Sequence, residues 1–437
     1  MNSAVDRSTP QAHSDAASTA GSAQPACALN AEYLALIDKA QRNMFDPAKL
    51  GNLQAVKSAH ACEIKSTDDA IAKANVALRA TGDPYDKILT AAQYKALDDD
   101  AHGHFGGVGI HFEIDSAKLG KSPLVVHDLI PNSPASEDLK PGDVITAIDG
   151  QDITHLKQQD ALKLMQGDVG TPIALTVVRG DHIVYTDLIR QEITVPSVQS
   201  RQLSDGIAYL NVDNFEDETS AAQLQQQMQK YKNAPAYVID LRDNPGGRVD
   251  SALLAASLFV KSGTLVNEKV RIESSSPPKY YDVREELTGF GDLQVKKAPG
   301  LSLPRLNIHG RLSDVSQDKP VVILVNDNTA SAAEMFTAAV RENNPHATVV
   351  GEKTFGKGIG QIVMPNMPGN SVMSVTNMHY LTPHGEWLGD GANNRNGIQP
   401  DRTLAPLPPD GHVGSADDKQ LQAAVEILEQ KLASGSK

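Results

Sequence analysis

The chain has 437 residues, enough for two or three domains and a large core. Its apolar fraction of 40% and charged fraction of 22% are those of a soluble globular protein. A formal net charge of −14 argues against a nucleic-acid partner, and no apolar run reaches the roughly 20 residues that would make a transmembrane segment.

Residues 1–30 are rich in Ser, Ala, Gly, Pro and Gln and read as a disordered tail. They lack the apolar core of a signal peptide, so an export signal is not visible in the chain. Only two cysteines occur, Cys27 and Cys62. A disulfide between them would imply an oxidising compartment; two unpaired thiols are the alternative, and neither has the spacing of a metal site.

Residues 31–100 read as a helical N-terminal domain or dimerisation element. "AEYLALIDKAQRNMF" places Leu34, Ile37 and Ala40 on one face, and "DDAIAKANVALRA" and "YDKILTAAQYKAL" continue the helical pattern. From 101 to 195 the composition changes to short β-like runs, "VGIHFEI", "LVVHDLI", "DVITAIDG", "PIALTVVRG" and "HIVYTDLI", with one helix, "KQQDALKLMQG". That inventory fits a small β module.

Residues 196–437 alternate strands and helices. "AYVIDL" and "KPVVILV" are apolar throughout, as buried strands of a helix-covered sheet are. "TSAAQLQQQMQKY", "VDSALLAASLF" and "NDNTASAAEMFTAAVREN" supply the helices. The long segment 263–319 reads as a lid or strap over a site.

In "VVILVNDNTASAAEMF" a buried strand runs through a polar turn to a helix starting near Ser331, with Ala332, Phe336, Ala339 and Val340 on its inward stripe. A serine there would lie at the positive end of the helix, where backbone N–H groups can hold an oxyanion. The same pattern is that of an ordinary N-cap. No Gly-x-Ser-x-Gly elbow occurs, and none of the 13 histidines is placed by spacing against Ser331. A lysine base is the remaining option, and it must be neutral near pH 7, which requires burial or neighbouring positive charge. Lys357 lies between Gly356 and Gly358 after Phe355, whose ring could shield the amine; an ordinary surface loop is the other reading. Gly351, Gly356 and Lys357 also match the start of a phosphate-binding loop, but Gly358 stands where the Ser or Thr should be, and "GIGQIVMPN" continues as strand rather than helix.

Together, "NDNTASAAEMF", "VVGEKTFGKGIGQ", "VIDLRDNPGGRVDSALLAASLF", "YLTPHGEW" and "NGIQPD" resemble the C-terminal processing peptidases, or tail-specific proteases. Upstream, "FGGVGIHFEI", "PASEDLKPGDVITAIDG" and "GTPIALTVVRG" resemble the PDZ domain that this family carries there. The likeness spans roughly Phe105 to Asp401. It implies an α+β and α/β multidomain fold: a helical N-terminal region, a PDZ-like module and a serine peptidase core.

By position, the resemblance implies Ser331 as nucleophile, Lys357 as general base and Gln361 as the glutamine that orients it. It implies backbone oxyanion donors at Ala332 and at Gly246 or Gly247, where a missing side chain lets an amide reach the substrate. Glu342 matches an acidic position sometimes implicated in relatives and also reads as a solvated helix end. The family's S-A-S-A-S-E pattern is "TASAAE" here, keeping one serine of three, and Lys357 follows Ser331 by 26 residues, one more than usual.

In the PDZ-like module, Gly107, Val108, Gly109 and Ile110 would form the nest for a peptide's terminal carboxylate, with Leu162 and Met165 lining a side-chain pocket. The function implied is a serine endopeptidase for unstructured C-terminal tails, needing neither metal nor cofactor. The alternatives are an inactive PDZ-type peptide-binding scaffold and a nucleotide-dependent switch. Export to a bacterial periplasm, an adaptor or activating partner, and a homodimer are further expectations.

Overall fold

A computed structural model describes residues 31–60, 63–101, 104–112, 124–130, 132–194, 196–203, 205–274, 277–287, 293–297, 316, 318–408, 413–415 and 417–435. The tail expected over 1–30, both cysteines and residues 298–315 of the lid-like segment lie outside these. Among the described residues no helix is long and apolar enough to cross a membrane.

The peptidase core is built on a six-stranded sheet ordered Val198–Gln202, Ala208–Val212, Tyr237–Asp240, Val321–Val325, Ala347–Gly351 and Arg402–Thr403. The first pair is antiparallel and the remaining pairs are parallel. Parallel strands connect through crossovers that place helices on the faces, which is why the interior strands are apolar at consecutive positions. Leu210, Ile239, Ile323 and Val349 face the helices Ser220–Lys230, Val249–Ala256 and Ala332–Asn343. Tyr209, Val238, Val322, Leu324 and Val350 face the other way, against Leu421, Ala424 and Leu428 of the helix Lys419–Gly435. Phe336 anchors the helix Ala332–Asn343: it is fully buried, with ring centroids 5.8 Å from Phe215 and 5.9 Å from Phe259.

A second, antiparallel sheet lies beside the first. Ser371–Leu381 pairs on one side with Ile359–Met367, the strand that follows Lys357. On its other side it pairs with Gly263–Ile272 and with Lys87–Leu89. Two sequence expectations change here. "YDKILTAAQYKAL" is not helical throughout, because Lys87–Leu89 pairs with Val372–Ser374 before the helix Ala91–Ala101 begins. Nor is the segment from Gly263 chiefly an irregular strap: Gly263–Ile272, Lys279–Leu287 and Leu293–Lys297 are strands of this sheet. Sheet hydrogen bonds to residues far along the chain override a local pattern that offers no clean period.

The N-terminal helices Ala31–Asn43, Leu53–Ala59 and Thr67–Arg79 do not enclose a core of their own. Tyr33, Leu36, Ile37, Ala40, Ala74 and Leu78 share one apolar cluster with Met364, Met373 and Val375 of the antiparallel sheet. The β module, by contrast, closes on itself. Ile110–Phe112, Leu124–Leu129, Val144–Ile148, Pro172–Arg179 and His182–Ile189 follow one another across its sheet. Leu124, Val126, Ile145, Ile173, Leu175 and Val177 pack beneath the helix Gln158–Met165.

Candidate active site

The polar turn after Val325 is tied to the neighbouring strand connection. Thr329 Oγ1 donates to the Leu241 carbonyl at 2.8 Å, and the Ala330 amide donates to the Asn244 carbonyl at 3.0 Å. These bonds fix the approach to Ser331, whose backbone takes φ +56° and ψ −119°. A non-glycine residue held at positive φ costs on the order of 1–3 kcal/mol and persists only where the surroundings enforce it. Although the chain lacks a Gly-x-Ser-x-Gly motif, the strand-to-helix corner at Ser331 has the strained geometry that such motifs serve.

Across from it lies the glycine turn. Gly246 has φ +100° and Gly247 φ +133°. A Cβ on Gly246 would stand 2.6 Å from the Ala330 oxygen, 2.8 Å from the Ala332 nitrogen and 2.9 Å from Ser331 Cβ. Only a residue without a side chain permits this approach. The Gly246 amide donates to Asn244 Oδ1 at 2.8 Å and is therefore taken. The amides of Gly247 and Ala332 donate to no acceptor among the described residues. Of the two glycines expected to offer an amide, Gly247 is the one that can.

Lys357 leaves the parallel sheet's last connection just before Ile359–Met367. It shares with Ser331 a cleft of about 610 Å³, which Gln361, Lys87, Tyr94 and Leu97 also line. No hydrogen bond joins Ser331 to Lys357. Instead the Lys357 ammonium lies over the Tyr85 ring, 4.1 Å from its centroid. Burial pushes Lys357 below the usual lysine range and the charge of Lys87 adds to this, while Glu216, Asp83 and Glu334 oppose it. Phe355, expected to shield the amine, lies under the Arg395 guanidinium, 4.0 Å away, and the ring that meets Lys357 is that of Tyr85. Gln361 lines the same cleft, but its Nε2 donates to Thr376 Oγ1 at 3.0 Å and not to the lysine. Glu342 is turned elsewhere and accepts from the His384 amide at 2.7 Å.

The residue that sequence reasoning missed is Glu334. Its buried carboxylate accepts from the amides of Ser331, Gly356 and Lys357 at 2.9, 2.8 and 2.8 Å, and from Thr354 Oγ1 at 2.5 Å. Burial raises its carboxyl and these four donors oppose that rise. A signal was present: Ser-x-x-Glu at a helix start is capping-box spacing. Tyr85 and Lys87 had no comparable local signal.

In the β module, Gly107 ends the strand His104–Gly107, and Gly109 at φ +78° presses against Ser133. Val108 and Met165 are packed into the module's core, 3% and 5% exposed, whereas Ile110 and Leu162 are half-buried against it. The Met165 side chain is thus core, not the wall of an open pocket.

The PDZ domain model matches residues 99–178 and the peptidase family S41 model residues 206–404. A carboxyl-terminal-processing protease of Picosynechococcus sp. is 30% identical over 380 residues, covering 85% of this chain and 81% of the relative. This chain belongs to the carboxyl-terminal-processing protease family. A CtpA-like serine protease of Staphylococcus haemolyticus is also 30% identical, over 74% of this chain; the match spans only 57% of that relative's length. An S41 protease from Bacteroides fragilis shares the fold with a TM-score of 0.53 at 15% identity, covering 90% of this chain and 97% of that one. The family member described here thus combines a PDZ domain with the α/β core of a serine protease family.

Proposed function

We propose that this chain is a serine endopeptidase that cleaves unstructured protein tails with a Ser331–Lys357 dyad. Ser331 Oγ attacks the scissile carbonyl carbon while neutral Lys357 takes the hydroxyl proton. The resulting oxyanion lies between the amides of Ala332 and Gly247. Lys357 then gives its proton to the leaving amine, and a water that Lys357 deprotonates hydrolyses the acyl-enzyme ester. Gln361 orients the lysine once it faces Ser331. The PDZ domain captures a substrate's free C-terminus by strand addition, with the Gly107–Ile110 amides around its carboxylate.

The observation that carries this reading is the strained backbone of Ser331, beside two amides with no acceptor among the described residues and in one cleft with a half-buried lysine. An export-dependent periplasmic setting and a partner that releases activity belong to the same proposal. The test is digestion of an unfolded reporter with an apolar free C-terminus, beside its amidated form. Wild type cleaves the free form faster, and Ser331→Ala and Lys357→Ala each abolish cleavage without unfolding the chain. Persistent cleavage by purified Ser331→Ala would refute the assignment. Absence of turnover by wild type, with tail binding retained, would establish the inactive scaffold instead, a reading favoured by the lack of a hydrogen bond between Lys357 and Ser331.

A further inference from the structure

The lysine assigned as base is engaged by a residue from outside the peptidase core. Tyr85 sits between the helix Thr67–Arg79 and the strand Lys87–Leu89, its amide donating to Asp83 Oδ1 at 2.9 Å. Its half-buried ring presents a face to Lys357 Nζ at 4.1 Å. An aromatic face carries negative charge density, so it attracts an ammonium far more than a neutral amine. The ring therefore opposes the conversion that a lysine base requires.

The remaining charges around the pair are mixed. Glu216 from the connection before the helix Ser220–Lys230, Asp83 beside Tyr85, and Glu334 from the nucleophile helix favour the ammonium; Lys87 disfavours it. Asp83, Asp390, Arg395 and Glu334 act on Tyr85 itself. A Cβ on Gly391 would meet Tyr85 Oη at 2.7 Å and Lys357 Cβ at 3.4 Å, so this glycine leaves room for the two side chains to meet.

We propose that Tyr85 is a positioning residue for the proteolytic reaction: its ring holds Lys357 as an ammonium, without a hydrogen bond to Ser331, and the lysine must leave the ring and lose a proton to solvent before Ser331 can attack. The inference rests on the Ser331–Lys357 reading. It makes the N-terminal segment part of the active site and gives the enzyme a resting state that costs rate at low pH.

The experiment follows kcat/KM of the full-length chain on an unfolded peptide from about pH 5.5 to pH 9, where the acid limb reports the free enzyme's base. Tyr85→Leu moves that limb down by about 0.5–1 pH unit and raises kcat/KM at pH 6 about 3- to 10-fold. Tyr85→Phe keeps the ring and leaves the limb in place. Tyr85→Trp, with the stronger cation-binding face, moves it up. A merely structural role lowers activity without opposite shifts. Coincident limbs in all four proteins overturn the inference, as does a Tyr85→Phe limb displaced like that of Tyr85→Leu. Should Tyr85→Leu not fold, the Tyr85→Trp limb decides alone: an upward shift supports the inference and coincidence with wild type overturns it. Lys357→Ala is the control: if it still cleaves, the dyad reading falls and the limb belongs to another group.

Discussion

Glu334 accepts hydrogen bonds from the amide of Lys357 at 2.8 Å and from that of Ser331 at 2.9 Å on the same carboxylate oxygen. One buried charge therefore joins the helix corner that carries the serine to the glycine-flanked loop that carries the lysine. The Phe355 amide also donates to the Thr329 carbonyl at 2.9 Å, so the two loops share a backbone tie beside the carboxylate. Nearest the two side chains, their registration rests on Glu334.

Glu334→Gln keeps the volume but turns an NH₂ group towards N–H donors. At least one buried donor is then unmet, at about 1–3 kcal/mol each. The expected result is a folded protein with a lowered melting temperature and kcat/KM reduced on the order of 100-fold. Thermal denaturation beside steady-state kinetics checks it. Wild-type activity in Glu334→Gln would show that the two loops hold their geometry without the clamp.

Gly246→Ala introduces a Cβ against two backbone atoms, the Ala330 oxygen at 2.6 Å and the Ala332 nitrogen at 2.8 Å. Backbone at a helix start cannot yield as a side-chain tip can, and the added methyl would occupy the space facing the Ala332 amide. The variant should lose activity on the order of 100-fold or more, as removal of an oxyanion donor does. Gly150→Ala is the control: it shares a positive φ, +80°, but has nothing within 4 Å of the added Cβ. It should lose only about 1–2 kcal/mol of stability and keep its kcat.

The parts legible in the sequence were those set by short-range chemistry. Val321–Val325 is apolar at every position because both faces are covered, and the turn and helix after it follow directly. The strand after Lys357 was equally readable, and Ser331, Lys357 and Gln361 do line one cleft. What escaped depends on contacts between distant segments. Lys87–Leu89 is a strand because Val372–Ser374 offers it partners, and its sequence gives no sign of them. Tyr85, not Phe355, meets the lysine because the N-terminal helices share a core with the antiparallel sheet. Met165 looked like a groove residue by helix position, yet the module's small core needs its volume.

Asp86 gives a prediction in pH. Its carboxyl, 4% exposed, accepts from the Thr376 amide at 2.8 Å, and burial with the charge of Asp83 pushes it up to about 7. A carboxyl raised on folding binds its proton more tightly in the native state. Its stabilising effect is whole below the unfolded value near 4 and is lost as pH rises through 7. Asp86→Asn keeps the acceptor and removes the charge, so its melting temperature should exceed that of wild type increasingly between pH 4 and pH 8. The full difference is about 2–4 kcal/mol. His379 works in the opposite sense: burial between Phe45 and Trp387 lowers it to about 4, so its effect is lost as pH falls from 6.5 towards 4. A pH-independent difference between wild type and Asp86→Asn would mean that Asp86 is ionised in the native state throughout.

Asp418 joins the C-terminal helix to the buried Arg242, just past the strand Tyr237–Asp240. Arg242, 4% exposed, donates to Asp418 Oδ2 at 2.6 Å and Oδ1 at 3.0 Å, and to Asp240 at the end of a central strand. Burial disfavours the guanidinium's charge, but these two carboxylates outweigh it and hold Arg242 above its ordinary range. Asp418 also accepts from the amides of Gly414, Gln420 and Leu421, so it caps the C-terminal helix that covers one face of the sheet. Asp418→Ala leaves a buried guanidinium with only Asp240 and Gln420 as partners, and an uncapped helix, which together cost about 3–5 kcal/mol. Urea unfolding should show the midpoint falling accordingly. Because Arg242 lies only two residues before Asn244, which holds the Gly246 amide, kcat should fall as well. Asp418→Asn, which keeps a carbonyl acceptor for the helix amides, should recover part of the stability and more of the kcat. Equal losses in the two variants would place the whole effect in the missing charge and none in the cap.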